Sequence, residues 1–322
     1  MNTLDDKLST NDVPVKISVA IPLYNRKHFI SDTLNSIFSQ SYPVDEVVIV
    51  DDGSTDSPLD VLQHYLDRVR YIRIENSGPA YARKIAIENC ANKWIALCDS
   101  DDLWLENHTS DFVQALTSVN GFSFYFCDFI LSDTKSSKMA EAPSDFLNSM
   151  ALHVNENFYK TTRGLFSSIL KFQCIFQSAL IFDRQFYESI GGIDSTISRV
   201  GSEDLHLTMR FVEQGIAVYN NKANVVIRKH EGNFSSDYTK VLLGEIFILE
   251  LLLQQRTDID PNFRINLEAS IAERKYNYFK HAYWNLSNKE AFDAFNFSQL
   301  KYFSFKDYLR LAIILLKRLK KI

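Results

Sequence analysis

Two short apolar runs in this chain end abruptly in acid. Val47-Val48-Ile49-Val50 passes straight into Asp51-Asp52-Gly53-Ser54, and Trp94-Ile95-Ala96-Leu97 into Cys98-Asp99-Ser100-Asp101-Asp102. A run with no polar position has no face to give to water, so each predicts a strand covered on both sides, as in parallel sheets. Ile17-Ser18-Val19-Ala20-Ile21 is an earlier β-rich run, and Ile30, Leu34, Ile37 and Phe38 follow it at helical spacing. Residues 69–74 read as a further strand, and Gly78-Pro79 opens a helix through Ala82, Ile85 and Ala86. Strand and helix alternating in this way predict a doubly wound α/β fold with a mostly parallel central sheet.

Ligands of such sheets gather at the carboxyl ends of the strands. Three of those ends carry Tyr24-Asn25, Asp51-Asp52 and the acids from Asp99 to Asp102. Carboxylates this close repel one another unless positive charge sits among them. A divalent metal with oxygen ligands, bridging to phosphates, meets that need; an acidic surface turn is the plainer alternative. Residues 22–27 contain no glycine and the chain has no Gly-Lys-Ser/Thr loop, so neither common glycine-rich phosphate cradle is available. Phosphates would then be held by a metal and basic side chains.

The net charge of −5 argues against a general nucleic-acid binder, and 46% hydrophobic with 23% charged residues is ordinary for a globular protein. Cys90, Cys98, Cys127 and Cys174 are too scattered for a zinc site or a disulfide frame and suggest thiols of a reduced compartment. The first fifteen residues form a polar tail without the apolar core of a signal peptide. The richest apolar run, 241–253, is broken by Glu245 and Glu250 and is too short to span a bilayer. A cytoplasmic protein is expected, either free or peripheral on the inner face of the membrane. Residues 122–129 predict another strand, 132–157 a loop or insertion, and 176–182 a strand before Gly191-Gly192-Ile193-Asp194. Glu203-Asp204 opens a helix, and from 239 onward the chain is helical and aromatic.

Several motifs now line up. Val19-Ala20-Ile21-Pro22-Leu23-Tyr24-Asn25, Val50-Asp51-Asp52-Gly53-Ser54-Thr55-Asp56, Gly78-Pro79-Ala80-Tyr81-Ala82-Arg83 and Asp99-Ser100-Asp101-Asp102 resemble the nucleotide-sugar half of the family-2 glycosyltransferases with the GT-A fold. Gly191-Gly192-Ile193-Asp194 and Ser202-Glu203-Asp204 resemble that family's acceptor half, and Arg228-Lys229-His230 with Ser235 its closing basic motif. The resemblance divides the chain into a catalytic domain, 16–238, and a helical extension, 239–322. Within the domain, 16–131 would hold the nucleotide sugar and 158–238 the acceptor.

The resemblance implies an inverting transfer from a nucleoside-diphosphate sugar, UDP foremost, to a hydroxyl of a glycan or lipid-linked glycan in surface polysaccharide synthesis. Mn2+ or Mg2+ would be the cofactor. Pro22 and Tyr24 would line the nucleobase pocket, Asp52 would accept from base or ribose, and Arg83 would meet the diphosphate or brace the acids. Asp99 and Ser100 would contact the donor, and Asp101 would bind the metal with Asp99 and His230. Asp204 would be the base, with Glu203 beside it and Trp104 shaping the acceptor cleft.

Each residue also has a plainer role. Asp52 could form the turn before Gly53, and Arg83 could lie on a solvated helix face, where Lys84 replaces the family's usual asparagine. Glu203 and Asp204 could simply favour a helix N-terminus, His230 could be an ordinary loop histidine, and Trp104 could be core. A sugar nucleotidyltransferase would share the sheet but needs a glycine-rich loop that 23–27 lacks; a non-catalytic binding module is the other rival. Residues 301–322 hold seven Lys or Arg and one acid, Asp307. They suit an anionic membrane surface, or a helix packed on the domain with a basic tail.

Overall fold

In the chain's computed structural model the described residues are 14–132, 137–140, 147, 152–161, 165–230, 232–233, 237–255, 259–298 and 303–319. Most of the N-terminal tail, much of the loop expected over 132–157, Ser235 and the basic end 320–322 lie outside them. The first half alternates as expected: β1 (Ile17–Leu23), α1 (Lys27–Phe38), β2 (Glu46–Asp51), α2 (Leu59–Leu62), β3 (Arg70–Arg73), α3 (Pro79–Glu88) and β4 (Trp94–Leu97). There follow β5 (Leu103–Trp104), α4 (His108–Ser118), β6 (Phe124–Ser132), β7 (Ser137–Ala140), β8 (Leu152–His153), β9 (Phe158–Lys160) and α5 (Leu165–Lys171). The remainder is β10 (Leu180–Asp183), α6 (Arg184–Ser189), α7 (Glu203–Gln214), β11 (Ala217–Arg228) and four helices, α8 (Tyr238–Gln255), α9 (Pro261–Asn285), α10 (Asn288–Phe297) and α11 (Phe305–Leu319).

One sheet carries these strands in the order β3-β2-β1-β4-β10-β6-β11-β9-β8, with β5 on β11 and β7 on β6. From β3 to β4 every pairing is parallel, so Leu23 sits beside Asp51 and both acid-ended strands flank β1 with their carboxyl ends together. Beyond β4 the sheet becomes mixed, because β10 inserts antiparallel between β4 and β6. That insertion carries the chain's second half up against the acid cluster.

The apolar runs are buried on both faces. Val19, Ile21 and Ile49 pack in one core with Leu34 and Phe112, while Ala20, Val48 and Val50 pack in the other with Ala82 and Leu97. Each such Ile or Leu contributes roughly 1.5–3 kcal/mol by leaving water. Alanines at 80, 82 and 86 bring α3 close to β1, setting Arg83 over the strand ends.

The helical extension does not start a separate core at residue 239. Ile248, Leu249, Leu252, Leu267 and Ile271 share the cluster of Leu205 and Met209, whereas Phe279, Ala282, Ala291, Ala294 and Ile314 form a small core of their own. Two glycines allow the docking: a Cβ on Gly244 would lie 1.9 Å from the Gly201 carbonyl oxygen, and one on Gly201 would lie 2.4 Å from that of Lys240. Ser202, held at a φ of 60°, donates from its hydroxyl to the Val241 carbonyl at 3.3 Å. The start of α7 is therefore braced by α8. Among the described residues no helix is long and apolar enough to cross a membrane, and the four cysteines are buried and unbridged.

Candidate active site

The turn after β2 separates the work of two neighbouring acids. Asp51, fully buried, accepts from the Ser54 backbone N–H at 2.8 Å and from the Tyr71 hydroxyl at 2.5 Å, and pairs with Arg73. The turn-forming carboxylate is thus Asp51. Asp52 instead accepts from the backbone N–H groups of Ser77 at 2.6 Å and Gly78 at 2.9 Å, tying the turn to the start of α3. Burial raises the pKa of Asp52 and these two N–H groups oppose the rise. Tyr24, at the end of β1, is 45% exposed, its ring open to a stacking partner, and Pro22 beside it is half-buried. Asn25, at a φ of 51°, accepts from the Thr55 N–H at 2.8 Å and so joins the two strand ends.

The acid cluster is layered. Asp102 is buried and accepts from the Ser178 hydroxyl and from the Arg228 backbone N–H at 3.1 Å. Ser178 Oγ in turn accepts from the Asp99 N–H at 2.9 Å, so Asp102 sets the position of Asp99 through a serine of the segment leading into β10. Burial, reinforced by Asp99 and Asp101, pushes the Asp102 pKa well up.

Two of the expected site residues are buried. Ser100 is 5% exposed, with its carbonyl accepting from Thr33 Oγ1 at 3.1 Å. Trp104 is 3% exposed, donates its indole N–H to the Ser178 carbonyl at 2.9 Å and packs on His108 within the core.

Asp101 is met by a guanidinium and an imidazole. Its Oδ2 lies 2.7 Å from Arg26 Nε and 3.1 Å from His230 Nε2. Arg26 also reaches the Gly232 carbonyl at 2.7 Å, and His230 stacks on Phe29 with ring centres 4.5 Å apart. Arg228 locks the arrangement by donating to the Asp101 carbonyl and to Thr33 Oγ1. Among the described residues no three acid, histidine or cysteine donors are gathered round one point. The oxygens of Asp99 and Asp101 with the imidazole of His230 nonetheless suit Mn2+ or Mg2+ in kind.

Arg83 lies 5% exposed between two sets of acids, not on a solvated helix face. Its Nη2 is 3.0 Å from Asp99 Oδ1 and its Nη1 3.3 Å from Glu203 Oε1. Burial and the neighbouring Asp204 raise the Glu203 pKa to about 7. Burial raises that of Asp204 as well, opposed by Arg83. Asp204 Oδ1 accepts from the Leu205 N–H at 3.0 Å, and Gln173 Nε2 lies 3.5 Å from its other oxygen. Both acids sit in the first turn of α7, where the helix dipole favours negative charge. Arg26, Gln173 and Ser178 are site residues the sequence alone did not single out. Only Arg26 carried a signal, as a base directly after a strand end.

The sequence model described as Glycosyl transferase family 2 matches residues 18–191, more than half of the chain. The chain belongs to glycosyl transferase family 2. It is 36% identical over 149 residues to TuaG of Bacillus subtilis, named for teichuronic acid biosynthesis, covering 44% of this chain and 59% of TuaG. An uncharacterized glycosyltransferase of Rickettsia felis is 27% identical over 253 residues, 74% of this chain and 41% of that protein. The chain thus spans about half the length of these two curated relatives. WfaP of Escherichia coli, a UDP-Glc:alpha-D-GlcNAc-diphosphoundecaprenol beta-1,3-glucosyltransferase, is 27% identical over 238 residues, 73% of this chain and 85% of WfaP.

Among solved structures, Staphylococcus aureus TarS with UDP-GlcNAc superposes with a TM-score of 0.65 at 19% identity, over 87% of this chain and 79% of that one. Mannosyltransferase PcManGT of Pyrobaculum calidifontis, with GDP-Man and Mn2+, gives 0.58 at 18% identity, over 97% and 91%. At these identities the likeness is one of fold, and that fold is GT-A.

Proposed function

We propose that this family-2 protein moves a sugar from a nucleoside-diphosphate sugar, UDP foremost, to a hydroxyl of a glycan or lipid-linked glycan, inverting the anomeric centre. The observation that carries this is the buried Arg83 bridge, 3.0 Å from Asp99 and 3.3 Å from Glu203. One guanidinium ties the strand end suited to a diphosphate to the helix end that bears Asp204.

Tyr24 would stack on the base, with Pro22 beside it and Asp52 holding the nucleotide loop. Arg83 and Asp99 would bind on the diphosphate and ribose side, and Asp101, Asp99 and His230 would hold Mn2+ or Mg2+. Such a cation, when bound, neutralises charge growing on the departing diphosphate. Asp204 would take the proton from the attacking hydroxyl on the face opposite the leaving group, which makes the reaction a single inverting displacement. Glu203 would keep Asp204 company as a partner of Arg83.

The names of TuaG and WfaP support a role in surface polysaccharide synthesis, and the ligands of TarS and WfaP support a UDP donor. The last helix supports a membrane-bound acceptor. Phe305, Leu309, Ile313 and Leu316 are exposed on one face of α11, with Lys306 and Lys317 exposed alongside. An apolar stripe flanked by lysines suits an anionic membrane surface, where a lipid-linked glycan would lie within reach.

A thermal-shift screen of UDP-, GDP- and dTDP-sugars, each with and without Mn2+, tests the donor assignment. The expected result is a rise in Tm with UDP-sugars that depends on the metal. Pyrophosphate release from a nucleoside triphosphate would instead favour a nucleotidyltransferase.

A further inference from the structure

We propose that the helical extension completes the acceptor site, forming with the catalytic domain a subsite for a neutral sugar residue. The proposal rests on the transferase function above. A cavity of about 540 Å³ lies at the seam, lined from the extension by Tyr238, Glu245, Glu273, Arg274 and Asn277 and from the domain by Gln173, among others. Its size falls in the range of about 300–1,000 Å³ usual for small-molecule sites.

Gln173 connects this cavity to the chemistry. This lining residue also donates from its Nε2 to Asp204 Oδ2 across 3.5 Å. A sugar seated there would lie one side chain, Gln173, from the proposed base.

The lining matches carbohydrate rather than phosphate. Tyr238 is 55% exposed, and His281 holds it edge-on with ring centres 4.9 Å apart. His281 is itself held by Thr239 Oγ1 at 2.8 Å. A fixed aromatic face suits the C–H face of a pyranose, while carboxylates and amides suit its hydroxyls. Charge in the lining is balanced, with Glu245 and Glu273 against Lys171 and Arg274. Arg274 is moreover engaged with Glu245 at 2.7 Å, with Ser270, and with the Leu170 carbonyl at 3.2 Å. A polyanion would find no excess of positive charge here.

The seam is also rigid enough to serve. Arg274 staples α9 to the end of α5, and the contact of Gly201 with Gly244 leaves no space for α8 to shift toward α7. Preorganised walls of this kind lower the ordering cost of binding.

The test is saturation-transfer NMR on the full chain with UDP and Mn2+ present, using p-nitrophenyl hexosides and N-acetylhexosaminides as probes. Signals on the sugar-ring protons are expected with the unaltered protein. Tyr238→Ala and Asn277→Leu should each weaken them about fivefold, with UDP affinity by calorimetry and melting temperature unchanged, while Tyr238→Phe retains them. Absence of ring-proton signals from every probe while UDP binds, or signals that persist in both variants, would overturn the subsite. Failure of the unaltered protein to bind UDP would strike the transferase assignment instead, and with it this proposal.

Discussion

Arg26 donates from its Nε to Asp101 Oδ2 across 2.7 Å, placing a guanidinium on the carboxylate proposed to bind the metal. A divalent cation binding at Asp101 must compete with that contact. Arg26→Met should therefore bind Mn2+ in the absence of nucleotide roughly tenfold more tightly, the effect of about one like charge at close range. Electron paramagnetic resonance of free Mn2+ reads this directly. Asp101→Ala should lose the metal dependence of UDP binding in calorimetry, and an unchanged metal response would remove Asp101 from the site.

Arg83 is the buried cation of two ion pairs, so its loss leaves acids uncompensated in the interior. Arg83→Met should lower the unfolding free energy by roughly 3–5 kcal/mol, measurable by urea denaturation. A loss below about 1 kcal/mol, the level of surface pairs, would mean the bridge is not the structural tie described.

The acids at the start of α7 give stability and activity opposite pH dependences. Glu203 has a folded pKa of about 7 against an ordinary value of 4.5, so the folded state binds more protons in that window. Its stabilising contribution is complete below the unfolded value and is lost as pH rises through the folded one. Unfolding free energy should fall from pH 5 to pH 8, and Glu203→Gln should flatten that slope. Transfer should instead rise with pH, since Asp204 must be ionised to accept a proton and burial raises its pKa, and Arg83→Met should move that rise to higher pH because Arg83 opposes the upward shift of Asp204.

Gly244 touches Gly201 backbone to backbone, and any side chain there forces α8 away from Ser202. Gly244→Val should destabilise the fold by at least about 1–3 kcal/mol, as overpacking does, and lower transfer more than it lowers UDP affinity. Melting curves alongside calorimetry separate the two effects.

The exposed apolar stripe of α11 predicts sedimentation with anionic phosphatidylglycerol vesicles and weak binding to neutral ones. Leu309→Glu combined with Leu316→Glu, in the full chain, should abolish it. Equal sedimentation of that variant would place the stripe against something other than lipid.

Much of the donor half was legible in the sequence. Runs without polar positions, Val47 to Val50 and Trp94 to Leu97, could only be strands buried on both faces, and the acids after them marked the strand ends. Asp204 was legible as an acid opening a helix. What escaped was set by burial across the sheet. Trp104 lies close enough to the acids to suggest the site, yet Ser178, in the segment leading into β10, takes its indole N–H and it packs in the core. Gln173 and Ser178 carry neither charge nor spacing that could flag them; only tertiary placement puts them beside Asp204 and Asp99. Nor does the change in composition near residue 239 reveal that Leu252 and Leu267 pack in one core with Leu205 and Met209.

In the proposed mechanism the acids near Asp99 bind and Asp204 reacts. The most direct measurement is the release of UDP from UDP-sugars in Mn2+ by the Asp204→Asn protein, at donor concentrations shown by calorimetry to saturate it. The predicted result is unchanged UDP affinity with turnover lower by about a hundredfold or more, the scale of a lost general base. Turnover within about twofold of the unaltered protein, far inside that scale, would contradict it.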